Sequence, residues 1–363
     1  SHPRDSQCLE LGHVPHGVAD ASKRIPATDQ TLWYLASTSK SFTGFGVALL
    51  AEQRVLAFED PISKLLPRVQ WHRSVHPEQL TLARFLSHTH GLDDRALQMS
   101  ASYTGAIPEA QWPSLVSLAA PRGSAGLEYS NFGYNVAAMV IDAVRPEGWR
   151  AFLERNVFTP AGMRHTYARV SRLGTQQIAR PQVLTASGAY ITDTFQKTDA
   201  TMNAAGGHLS TVGDLARWIT VQMDSGKIDG IQVFPKSAVV RSQTLLAEHT
   251  SETARHFGSF DRAGWGAGWD LGSYRGERIV SRFGSYHTMR SHVSFMPGRR
   301  IGVVAVASGG LGQALGDLLA TYAYDLALNR SDADARADSG FNVLRARINT
   351  SRERRAVEAR TRE

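Results

Sequence analysis

Apolar residues crowd the stretch after Thr31. Leu32, Trp33, Tyr34 and Leu35 form a lead-in, and Phe42, Phe45, Val47, Ala48, Leu49 and Leu50 follow at the spacing of a helix buried on most sides. The pattern predicts a helix over 37–54. Further helices are predicted over 80–88, 131–144, 149–158, 211–224, 235–246 and 315–329. Thr211 stands at a cap position and Gly226 just past the end of its helix. Strand-like patterning falls at 9–18, weakly, and at 278–281, 292–296 and 301–307. Pro297-Gly298 separates the last two. Gly264, Gly266 and Gly268 alternate with Trp265 and Trp269 and read as a tight aromatic strand.

These elements predict an α/β (α+β) layered fold: an antiparallel sheet formed from the N- and C-terminal segments and flanked by helices, plus a mostly helical second lobe. The expected organisation is one domain over 1–330, with a sheet lobe from 1–60 and 210–330 and a helical lobe from 60–210. A substrate cleft is expected at the seam. From Ser331 the chain turns to Ala, Arg, Asp and Glu, so 331–363 reads as a charged tail, either disordered or an exposed helix.

Composition narrows the function. The 363 residues carry a formal charge of +7, but Lys and Arg are scattered, and the densest basic run, 345–362, has Glu353 and Glu358 interleaved. A solvated surface explains this better than a nucleic-acid partner, and no nucleic-acid module is recognisable. No apolar run reaches the ~18 residues of a membrane span. Cys8 is the sole cysteine, which excludes an internal disulfide and a cysteine-based metal site.

The candidate chemistry begins at Ser37-Thr38-Ser39-Lys40. On a helix this spacing puts a hydroxyl and an amine on one face. A serine hydroxyl needs a base to take its proton, and a lysine can be that base when burial and nearby cations lower its pKa. Taken alone, the pattern describes a capped helix with a solvated lysine. The apolar run carries this lysine into the interior instead. Tyr129-Ser130-Asn131 is the second candidate. A phenol beside an ammonium can relay a proton to a leaving group, and Asn131 offers both a donor and an acceptor; the plain alternative is a packed tyrosine at a capped helix start. The third stretch, Arg282-Phe283-Gly284-Ser285-Tyr286-His287, joins strand candidates. Gly284 would let a ligand approach the backbone, and Arg282 supplies a permanent cation.

Together, in this order, the motifs resemble the serine β-lactamase and penicillin-binding-protein superfamily, in the branch of class C β-lactamases, D-alanyl-D-alanine carboxypeptidases and family VIII carboxylesterases. The S-x-x-K, Y-x-N and K-T-G or H-x-G motifs of those proteins would be Ser37 to Lys40, Tyr129 to Asn131, and Arg282 to Gly284. The segments Leu86-Ser87-His88-Thr89-His90-Gly91-Leu92, Pro160-Ala161-Gly162-Met163, Ala205-Gly206-Gly207 and Phe295-Met296-Pro297 agree with it, and the resemblance spans 14–328. It implies Ser37 as the acylated nucleophile, Lys40 as its base or base partner and Tyr129 as proton shuttle. Asn131, Arg282, Gly284 and Ser285 would bind substrate, with the N–H groups of Ser37 and Ser285 as oxyanion hole. Arg282 and Phe283 depart from the family pattern, as does Thr288 where Gly is common. The stretch before Gly17 is short for the family's N-terminal helix and first strand. The resemblance implies no cofactor and favours a periplasmic or secreted setting, with the cytoplasm left open.

The expected function is therefore a cofactor-free serine hydrolase that forms an acyl-enzyme on a small ester or amide, esters first. Two alternatives stand beside it: β-lactam or D-alanyl peptide hydrolysis, and a catalytically impaired binding or scaffold protein. His88 and His90, and His72 and His76, could be metal ligands, but without an H-E-x-x-H they read as structural or surface residues. Gly309-Gly310-Leu311-Gly312 misses the dinucleotide-loop spacing, and no G-x-S-x-G is present.

Overall fold

The structure, a computed structural model, describes residues 14–105, 107–123, 126–185, 187–251 and 259–360. Short strands β1 (Val18–Asp20) and β2 (Ile25–Pro26) pair with one another. Strand β3 (Trp33–Tyr34) pairs with β4 (Leu209–Ser210). A 3-10 turn over Ala36–Ser39 then leads into helix α1 (Lys40–Glu52), whose residues up to Leu50 are buried. The all-round apolar pattern thus marks a helix enclosed by its neighbours.

The main sheet is a six-stranded antiparallel meander: β5 (Ala247–Glu248), β6 (Asp261–Trp265), β7 (Asp270–Tyr274), β8 (Glu277–Tyr286), β9 (Met289–Met296) and β10 (Ile301–Ser308). The mixed α/β class with an antiparallel sheet is as expected. The N-terminal contribution to that sheet is corrected: among the described residues all six strands come from 247–308. Positions 9–13 of the expected first strand lie outside the described residues, and its end pairs only with β2.

Alternation along β8 and β9 separates two faces. Val280, Val293 and Phe295 join the large core around α1, together with α2 (Phe132–Val144) and α3 (Val212–Met223). Ile279, Phe283 and Met296 face α4 (Gly312–Ala327) with Tyr324 and Phe260. Thr211 caps α3 by accepting from the Asp214 amide at 3.2 Å, the cap expected from its position. The charged tail is a helix, α5 (Ala333–Arg360), which packs on α4 through buried Ala333 and Ala337.

Two close approaches bring sheet and helix into register. A Cβ at Gly268, which adopts a φ of +91°, would strike the Lys40 carbonyl. One at Gly284 would strike the Leu35 carbonyl oxygen, so β8 can lie against the chain just before Ser37 only with glycine there.

Candidate active site

Ser37 lies one residue after Ala36, whose φ of +48° is left-handed and unfavourable for a residue with a Cβ. Such strain persists only where surroundings enforce it. The kink turns the chain from β3 into the helix start and leaves Ser37 half-buried at the bend. Lys40, one turn on, has no exposed surface. Its ammonium donates to Asn131 Oδ1 at 2.6 Å, to the Ala205 carbonyl at 2.7 Å and to Ser37 Oγ at 3.2 Å. Burial, and next the nearby Arg282 charge, hold its pKa well below the ordinary lysine value. A neutral amine here keeps two N–H groups for the two short contacts. Its lone pair is then free to face the longest one, Ser37 Oγ.

Tyr129 stands on the other side of the serine and donates to Ser37 Oγ at 2.6 Å. It precedes α2, so the helix that presents Asn131 to the lysine also sets the phenol. Because Lys40 needs an acceptor, Asn131 turns its oxygen inward, which leaves its amide nitrogen for other partners.

Arg282 is 3% exposed. Its Nε donates to the Ser37 carbonyl at 2.9 Å and its Nη2 to the Tyr129 hydroxyl at 2.9 Å. Its guanidinium stacks over Trp265 at 4.7 Å. Buried Asp270 balances it, 3.6 Å from Nη1, and also accepts from Arg262 Nε at 2.7 Å. The third motif does not join two strands, as expected, but continues β8 to Tyr286; the turn to β9 comes after it, at His287, whose φ is +50°. Gly284 sits opposite Ser291 in that ladder, and exposed Ser285 follows. Thr288 occupies the turn and accepts from the Gln182 amide at 3.0 Å. The structure thus brings Ser37, Lys40, Tyr129, Asn131 and Arg282 into one hydrogen-bonded cluster, with Gly284 and Ser285 on the same strand as the arginine.

Three further residues support this cluster: His88, read from the sequence as structural or surface, and Asp94 and Asp270, which the sequence did not single out. His88 is buried, accepts from the Ser130 amide at 3.1 Å through Nδ1, and stands 4.7 Å from the Tyr129 ring and 4.5 Å from Trp265. Burial, then the Lys40 and Arg282 charges, push its pKa well below the ordinary value, so it is neutral and carries its proton on Nε2. Asp94 accepts from Ser130 Oγ at 2.5 Å and so fixes the residue between Tyr129 and Asn131. Asp270 is the third. The His-x-His stretch signalled His88, but nothing in the chain links Asp270 to Arg282 before the strands pair. Among the described residues no group of three or more His, Cys, Asp or Glu could hold a metal ion, and no helix is long and apolar enough to cross a membrane.

A penicillin-binding protein 4* from Bacillus subtilis is 30% identical over 183 residues, 46% of this chain and 37% of that protein. The chain spans from 37% to 61% of the length of the curated relatives it matches first. The octameric penicillin-binding protein homologue from Pyrococcus abyssi superposes with a TM-score of 0.71 at 22% identity, covering 86% of this chain and 69% of that one. A D-amino acid amidase from Ochrobactrum anthropi SV3 gives 0.66 at 19%, covering 91% and 89%. The beta-lactamase family model matches residues 9–328, and with the fold and the Ser37–Lys40–Tyr129 cluster in place, this chain belongs to that family.

Proposed function

We propose that this protein is a serine hydrolase that cleaves a small ester, or secondarily an amide, through an acyl-enzyme on Ser37. One observation carries the reading: Ser37 Oγ is held between the Lys40 amine at 3.2 Å and the Tyr129 hydroxyl at 2.6 Å, with the lysine pKa depressed by burial. Neutral Lys40 takes the Ser37 proton as Oγ bonds to the substrate carbonyl carbon. The resulting oxyanion accepts from the N–H groups of Ser37 and Ser285. The proton passes through the Tyr129 hydroxyl to the leaving oxygen or nitrogen as that bond breaks. Water then attacks the acyl-enzyme and releases the acid and free Ser37.

Esters come first because Arg282 is turned inward. Its Nε and Nη2 are committed to Ser37 and Tyr129, and Asp270 offsets its charge. A substrate carboxylate, such as that of a β-lactam, would have to compete for a cation already in use. The neighbouring D-amino acid amidase acts on an amide and supports amides as the second class.

The test is hydrolysis of p-nitrophenyl acetate by the purified chain, with a fluorophosphonate label located by mass spectrometry. Saturable turnover is expected, with label on Ser37, and Ser37→Ala should lose turnover by at least about 10³-fold. Equal labelling of wild type and Ser37→Ala would reject the mechanism, and absence of turnover would leave the scaffold reading.

A further inference from the structure

We propose that Asn203 is a positioning residue of this site, which fixes the Ala205 carbonyl and through it the direction of the Lys40 amine. The inference rests on the acyl-enzyme reading above and adds a residue to it. A neutral amine has two N–H groups and one lone pair. The lone pair faces Ser37 Oγ only while both N–H groups are held elsewhere. Their acceptors are Asn131 Oδ1 at 2.6 Å and the Ala205 carbonyl at 2.7 Å. Asn131 stands at the start of α2, which carries it. Ala205 lies in a turn between Asn203 and Gly207, outside any helix or strand, so its carbonyl depends on local bonds.

Asn203 supplies most of those bonds. Its Oδ1 accepts from the Ala205 N–H at 3.1 Å, the local turn that an asparagine side chain can close. Its own carbonyl accepts from the Gly206 and Gly207 N–H groups at 3.1 and 2.6 Å. The turn is so tight that a Cβ at Gly207 would strike the Asn203 nitrogen. From α1, Thr43 Oγ1 donates to the Ala204 carbonyl at 2.8 Å. The peptide between Ala204 and Ala205 is thus held at its oxygen by Thr43 and at its nitrogen by Asn203. Asn203 Nδ2 donates in turn to the Ala101 carbonyl at 3.1 Å, in the helical turn Ser100–Thr104. Lys197 clamps the same two stretches: its ammonium, 3.8 Å from the Tyr286 ring centroid, donates to the Ser102 and Thr201 carbonyls at 3.2 and 3.0 Å. Asn203 is buried, so bulk water does not stand ready to replace a bond it loses.

The experiment measures kcat and KM for p-nitrophenyl acetate, per folded molecule, in wild type, Asn203→Ala, Asn203→Ser and Thr43→Val. Alanine and serine leave nearly the same gap, but the serine hydroxyl can still accept from the N–H two residues on. Asn203→Ala is expected to lose kcat by about tenfold or more with KM within about twofold of wild type, because a base turned aside costs rate rather than binding. Asn203→Ser should recover about threefold or more of that loss, which a residue needed only for folding would not show. Thr43→Val, close to threonine in shape, frees the other end of the same peptide and should lower kcat in the same way. Should neither Asn203 variant fold, unchanged kcat in Thr43→Val would overturn the inference. So would a kcat kept in Asn203→Ala, a loss carried by KM, or a serine variant no better than alanine, while wild-type turnover keeps the hydrolase reading intact. Absence of wild-type turnover would remove both.

Discussion

Arg282 donates to the Tyr129 hydroxyl at 2.9 Å while the same hydroxyl donates to Ser37, so one buried cation on the sheet holds the phenol against the serine. In the proposed reaction Arg282 would be a positioning residue. Arg282→Lys keeps the charge but cannot span Ser37 and Tyr129 with one planar group. We expect kcat for p-nitrophenyl acetate to fall by about tenfold to a hundredfold with little change in KM. A variant that loses KM and keeps kcat would mean that Arg282 binds substrate instead.

The pH profile tests the lysine. The proposed mechanism needs neutral Lys40, so activity should rise with pH through the Lys40 pKa, which lies well below the ordinary 10.5. Burial is the larger cause and Arg282 the second. Removing that cation with Arg282→Gln should make the amine easier to protonate and move the rising limb to higher pH. A limb that stays in place would separate the arginine charge from the lysine.

Much of this was legible in the chain. Ser37 and Lys40 are neighbours, and the apolar periodicity from Phe42 to Leu50 is a local signal that predicts a buried helix. The last three strands of the meander, β8 to β10, likewise carry their own patterning and turn residues. What escaped depends on pairing across long separations. Asp270 meets Arg282 only because β7 and β8 lie side by side, with Asp270 opposite Ser281. The inward turn of Arg282 requires Trp265 and the Ser37 carbonyl, and no spacing announces either. The tail was ambiguous because its composition is polar on nearly every side, and burial of Ala333 and Ala337 on α4 accompanies its helix.

Asp270→Asn preserves shape and removes the buried negative charge beside Arg282 and Arg262. Leaving a buried cation without its counterion is costly. We expect a lower Tm, by about 3–5 kcal/mol of stability, and a lower kcat as Arg282 loosens its hold on Tyr129. Loss of stability with kcat untouched in the folded fraction would confine Asp270 to a structural role.

Gly284→Ala probes the contact between β8 and the turn that carries Ser37. The added Cβ would meet the Leu35 carbonyl oxygen, a backbone atom that cannot swing aside. Strand and turn must separate, at about 1–3 kcal/mol. The Ser285 N–H should leave the oxyanion position with them. Turnover is expected to drop by about 10²–10³-fold, the loss typical of one missing oxyanion donor. Crystal structures of the variant showing an unmoved β8 would refute the contact argument.

Lys197 offers a test of stability against pH. Burial lowers its pKa from 10.5 to about 7 in the folded protein. The unfolded chain therefore binds more protons between those values, and stability rises with pH across that window. Below pH ~7 the lysine is charged in both states and its penalty is present in full, up to the order of 5 kcal/mol for the whole shift. Above pH ~10.5 it is neutral in both and the penalty is gone. Lys197→Met removes the titration. Lys40 titrates in the same direction, so the measured quantity must be the difference between variant and wild type. Tm of Lys197→Met relative to wild type should be most favourable near pH 6–7 and decline steadily toward pH 10. A difference that stays flat across that range would show that the ammonium on Tyr286 is already compensated by its two carbonyl partners and the ring.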